Sequence, residues 1–82
     1  MGLRISAKSV GARIRIAVAG ELLAEGVGEL KRASAATGDS LELDLSELRF
    51  ADDDGVEALR FLIDQGATVL GASSFVQRLL GL

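Results

Sequence analysis

Eighty-two residues make one domain, residues 1–82, the expectation. That is chain enough for one core and too little for a catalytic domain with a deep cleft. There is no Cys and no His, so no disulfide, thiolate metal site or imidazole base exists. The net charge of −3, from 12 acidic and 9 basic residues, repels a phosphate backbone and speaks against nucleic acid. Phe50, Phe61 and Phe75 are the only aromatic residues, too few for a base-stacking platform.

No apolar run reaches membrane-spanning length, and the start lacks the layout of a secretory signal. A cytoplasmic protein without membrane insertion is the expectation. Met1-Gly2 with Ser6 fits the loose myristoylation pattern, but Leu3 and Ile5 read better as strand residues.

Leu3-Arg4-Ile5-Ser6-Ala7 alternates apolar and polar, and so does Arg13-Ile14-Arg15-Ile16-Ala17-Val18 beyond Gly11. The pair predicts a hairpin with Ile14, Ile16 and Val18 on one face and Arg13 and Arg15 on the other, wet face. Gly20 is expected to end the second strand. Leu23, Val27, Leu30 and Ser34 fall at helical spacing, but Gly26 and Gly28 weaken a helix by roughly 1 kcal/mol each. A helix from about Gly26 onward with a frayed start follows, stopped by a turn at Thr37-Gly38-Asp39.

Leu41-Glu42-Leu43-Asp44-Leu45 predicts a central strand, followed by a loop over residues 46–51 with two apolar anchors. Asp52-Asp53-Asp54-Gly55 opens a second helix over residues 56–65, closed by Gly66. Ala67-Thr68-Val69-Leu70 reads as a short buried strand, and Ser73 or Ser74 caps a last helix over residues 75–80. The class is α/β: a mixed sheet with helices packed on one side. The expected core is Ile14, Ile16, Val18, Leu41, Leu43, Leu45, Leu59, Ile63, Val69, Val76 and Leu79.

Several of these segments, in this order, carry a likeness. Val18-Ala19-Gly20-Glu21-Leu22 fits a Val-x-Gly-x-Leu pattern, and the strand 41–46 ends in Asp-Leu-Ser. Residues 50–59 resemble Phe-x-Asp-Ser-Ser-Gly-Leu-x-x-Leu, and residues 73–80 resemble Ser-Pro-x-Val-x-x-Leu-Leu. In this the chain resembles the STAS domain family, of the anti-sigma factor antagonist type, over nearly its whole length. The resemblance implies a STAS-like fold and a regulatory protein-binding role in bacterial signalling. It also implies that the loop 52–55 and the helix after it face the partner.

Three departures from the family pattern stand out. Asp53 and Asp54 replace its two serines, and Asp54 takes the position of the phosphoserine, so a partner kinase finds no hydroxyl there. The following helix is short. The chain stops at Leu82, where many relatives run into a further strand. A final strand is therefore expected to be absent, which would leave an open sheet edge near Val69 for pairing into a homodimer.

Three readings of Asp52, Asp53 and Asp54 compete. A carboxylate at a helix start caps free amides. Alternatively, the acids form a permanent charge patch where a phosphoserine would bring its own charge. A remote third is a divalent-cation-binding loop, disfavoured because consecutive residues converge poorly on one ion.

Val56, Leu59, Leu62 and Ile63 cluster on one side of the second helix, with Phe61 well away from them near Glu57 and Asp64. Phe61 is then either packed under a neighbouring element or an exposed anchor beside the acids. The partner-binding candidates are Asp52, Asp53, Asp54, Gly55 and Phe61, and neither catalytic residues, a metal nor a cofactor is expected.

The leading functional reading is a non-enzymatic binding module with a protein partner, such as an anti-sigma factor kinase. The alternative is a STAS-type structural subunit of a larger assembly, such as a lipid-transport complex or a stressosome-like particle. An enzyme is disfavoured, because no serine has a His to activate it and no Gly-rich phosphate loop ends in Lys-Ser or Lys-Thr.

Overall fold

The two alternating runs form strands β1 (Leu3–Val10) and β2 (Arg13–Leu22), paired antiparallel with Ile5 opposite Val18 and Lys8 opposite Arg15. The computed structural model describes residues 2–35 and 40–82. The turn expected at Thr37-Gly38-Asp39 lies outside the described residues.

β2 does not stop at Gly20 as expected; it runs on to Leu22. Gly20 has φ +93, a left-handed conformation that costs a residue with a Cβ but not glycine. The pairing register shifts between Gly20 and Glu21. β2 changes neighbours along its length, from β3 (Leu41–Asp44) beside residues 14–17 to β4 (Leu48–Ala51) beside residues 20–22, both parallel to it, and the shift falls within the β4 pairing.

β4 itself corrects the expectation of a loop over residues 46–51. Its pattern is too short to announce a strand, and it forms because the far end of β2 offers a pairing edge. Of its two apolar anchors Leu48 is buried, whereas Phe50 is 40% exposed.

β3 ends where Asp44 folds back on the chain. Its carboxylate accepts from Ser46 N at 3.0 Å and from Ser46 Oγ at 2.7 Å. Such a local side-chain bond competes with the ladder and turns the strand. These bonds hold the Asp44 carboxyl below the ordinary carboxylate range, the Ser46 hydroxyl first and its amide next, with nearby Arg15 adding to the effect.

β5 (Thr68–Leu70) pairs parallel with β3, which gives the order β1-β2-β3-β5 with β4 beside β2. Among the described residues β5 therefore stands at one edge of the sheet and β1 at the other.

Helices α1 (Ala24–Ala35) and α2 (Asp53–Asp64) connect strands, and α3 (Ser74–Leu80) follows the last of them. Leu30 of α1, Leu59 of α2 and Val76 of α3 join Ile16, Val18, Leu41, Leu43 and Leu45 in one buried cluster. The helices therefore lie on the Ile16 side of the sheet. Each fully buried Leu, Ile or Val contributes about 1.5–3 kcal/mol.

Ile14, Ile63 and Val69 are half-buried and pack against this cluster. In α3 the core position falls to Leu80 rather than to Leu79, because Leu80 is one turn beyond Val76 on the same helical face. Leu22, Leu48, Ala51 and Ala58, none of them expected, complete the core.

Candidate partner-binding surface

The acidic loop is first of all a structural junction. Asp52 is the N-cap of α2, with extended backbone, and its Oδ1 accepts from Gly55 N at 2.9 Å. Its Oδ2 accepts from Ala24 N, the first residue of α1, at 3.0 Å. The residue before α1 is Leu23, which has no side-chain acceptor, so Asp52 supplies the cap from 28 residues away. This explains why α1 starts at Ala24, two residues ahead of the frayed start expected near Gly26.

Gly55 is buried in the same junction. A Cβ there would run into the backbone carbonyl oxygen of Leu22, the last residue of β2. Only the absence of a side chain lets α2 begin so close to the strand. Of the five candidates, then, Asp52 and Gly55 are turned to internal work.

Asp53 and Asp54 lie in the first turn of α2 and are exposed. Their charges sit where the unpaired amides and the helix dipole are positive. Phe61, two turns along the same helix, is 60% exposed, which decides between the packed and the exposed reading of that ring.

An open groove of about 850 Å³ runs between α1 and α2, with Val27 and Lys31 on one wall and Asp54, Glu57, Phe61 and Leu62 on the other. On the opposite flank of Phe61 a second depression is lined by Asp53, Val56, Glu57, Arg60 and Asp64. Phe61 thus forms a ridge between two hollows, with Asp54 on one side and Asp53 on the other.

The α1 wall was not among the candidates drawn from sequence. Its signal was present in Val27, Lys31 and Ser34 at helical spacing, but nothing in the sequence says which helix they face. Among the described residues no three acidic groups come together in a way that would hold a metal ion. The cation-binding alternative loses Asp52, whose two oxygens are both engaged by backbone amides. Among the described residues no helix is long and apolar enough to cross a membrane.

Phe50 and Phe75 are also exposed, at 40% and 51%, so no aromatic ring of the chain is buried. Large apolar side chains held at the surface beside charge suit recognition of another protein better than they suit stability.

The sequence matches no protein-family model and no curated protein. The fold does match solved structures. The anti-sigma factor antagonist SpoIIAA in its unphosphorylated form superposes with a TM-score of 0.73 at 16% identity, covering 95% of this chain and 82% of SpoIIAA. An uncharacterized DUF3478-family protein from Shewanella loihica PV-4, described as having a SpoIIAA-like fold, superposes with a TM-score of 0.55 at 16% identity. That match covers 94% of this chain and 72% of the other. The chain therefore has the SpoIIAA-like, STAS-type fold that its motifs led one to expect.

Proposed function

We propose that this chain is a non-enzymatic, cytoplasmic protein-binding module of the anti-sigma factor antagonist kind, and that its partner meets the start and outer face of α2. The observation that carries the reading is the placement of Asp53, Asp54 and Phe61 on one exposed stretch of α2. Asp54 stands where the sequence resemblance puts a phosphoserine, and it supplies a permanent negative charge in place of a regulated one. The module is then not switched by phosphate at that position. This same lack of a hydroxyl favours a second reading, a fixed subunit of a larger assembly, in which the surface is always engaged.

Capture of the partner from the source cell, followed by titration, tests the reading. Phe61→Ala is expected to weaken binding by at least about 1 kcal/mol. Replacing Asp53 and Asp54 together by Ser is expected to change affinity more than stability, because Ser is also tolerated at helix starts. Affinity unchanged by both variants, per folded molecule, removes α2 as the partner surface. A phosphoryl group found on Asp54 rejects the unswitched reading.

A further inference from the structure

The helices cover only one face of the sheet. On the other face the strand register assembles a cationic surface. Arg4, Ser6, Lys8 and Val10 of β1 stand opposite Ala19, Ala17, Arg15 and Arg13 of β2, and residues directly opposite share a face. Four cations thus gather on the outer half of the sheet. Arg13 Nη1 and Arg15 Nε share the Glu42 carboxylate at 3.2 and 3.1 Å. Arg4 and Lys8 are exposed and make no ion pair among the described residues. On β2, opposite Ser6 and Arg4, lie Ala17 and Ala19, half-buried and too small to fill the surface. Glu21, Glu42 and Asp44 are the carboxylates of this face, and Glu42 is already spent on two guanidiniums.

The opposite pole of the molecule has the inverse pattern. The outer face of α2 carries Asp53, Asp54, Glu57 and Asp64 against Arg60 as its one cation, with Phe61 raised among them. The β1 side of the sheet face is thus complementary to α2 in charge and in relief: a ring rimmed by acids, and a strip of small side chains with Arg4 and Lys8 along its β1 border and Asp44 and Glu21 at its other borders.

We propose that the uncovered β1–β2 face docks α2 of a second copy of this chain, head to tail. Phe61 lies on the Ala17–Ala19 strip, and the α2 carboxylates meet Arg4 and Lys8. The contact is heterologous, so each copy keeps one free pole and the assembly extends rather than closing at two. It uses the surface proposed above for the partner without depending on that proposal; self-association and partner binding compete for α2.

Sedimentation velocity over a range of concentrations, at about 20 mM and about 500 mM salt, reads the contact, since exposed charges are screened at the higher value. The expected result is a mass that rises with concentration at low salt and returns to one subunit at high salt. Two charge-reversed proteins sharpen it: Arg4→Glu with Lys8→Glu, and Glu57→Lys with Asp64→Lys. All four positions are exposed, and circular dichroism checks that each variant is folded.

Each variant alone is expected to stay a single subunit, and their equimolar mixture to associate, through the intact pair of faces and through the doubly reversed pair, whose charges are again opposite. Should a reversal unfold the chain, the neutral versions with Gln and Asn are expected to weaken association at least about tenfold. A wild-type mass fixed at one subunit at low salt overturns the proposal. So does association that survives both reversals, which would mark backbone pairing at a sheet edge. A mixture that stays unassociated overturns it as well. Binding of the wild type to anionic lipid vesicles without self-association assigns the cationic face to a membrane instead.

Discussion

The starts of α2 and α3 look alike in sequence and differ in reach. At α3, Ser73 accepts from Val76 N at 3.2 Å, and Gln77 Nε2 donates to Ala72 O at 2.9 Å. Every bond stays within a few residues, so the cap belongs to the helix it begins. At α2, the Asp52 carboxylate divides between Gly55 N and Ala24 N, and Gly55 presses α2 onto the Leu22 carbonyl. There one cap fixes two helices and the end of a strand. A short polar residue before a helix is thus a local device in one place and a tertiary joint in the other, and the second acceptor oxygen of a carboxylate makes the difference.

The sharpest way to break this contrast is Gly55→Ala. The new Cβ meets backbone, which cannot rotate away, so the loss of stability is expected near the top of the overpacking range, about 3 kcal/mol. A denaturant melt that moves by less than about 0.5 kcal/mol would mean that α2 can lift off Leu22 freely. Next come the caps themselves. Asp52→Ala is expected to cost about 2 kcal/mol, because two amides lose their acceptor, and Ser73→Ala about 0.5–1 kcal/mol, because one does. Equal losses would dissolve the distinction between the joint and the local cap.

The smallest effect is one of pH. Asp44, like Asp52, engages two donors, but both belong to Ser46. Its folded pKa is lowered, so its ionised form contributes stability that is full above the unfolded pKa, near 4, and is lost as pH falls through the folded value. Asp44→Asn is therefore expected to flatten the acid limb of the stability curve below about pH 4 while changing stability little in slope above it. Parallel curves for wild type and variant between about pH 2 and 5 would show that the Ser46 bonds do not favour the charged form.

Much of the architecture was legible because its signals are local. Alternation in β1, β2 and β3 marked the buried face from Ile16 and Val18 to Leu43, and the glycine at 66 marked the end of α2, where it donates to Ile63 O with φ +107. What could not be read was everything that depends on a distant neighbour. β4 exists through its pairing with the end of β2. The early start of α1 exists through Asp52, and Gly20 continues a strand at a place where a Cβ would meet the Gly2 carbonyl oxygen.

The candidate surface divides in the same way. Phe61 was separable from the apolar stripe of α2 by helical phase, though its exposure was not, and Asp53 and Asp54 stood out as part of the acidic run before the helix. The inward turn of Asp52 and the burial of Gly55 did not, since both are decided by residues 22 and 24 rather than by their own neighbours.

The exclusion of all three phenylalanines from the core has a consequence for observing the molecule. With no Trp or Tyr the chain is nearly transparent at the usual absorbance wavelength for proteins. Its interior is aliphatic throughout, so no ring current acts on core methyl groups from within. Methyl resonances displaced upfield belong to neighbours of Phe50, Phe61 or Phe75, all of which look outward. A partner or second copy settling on Phe61 therefore announces itself in its own methyl spectrum, against an interior that stays magnetically quiet.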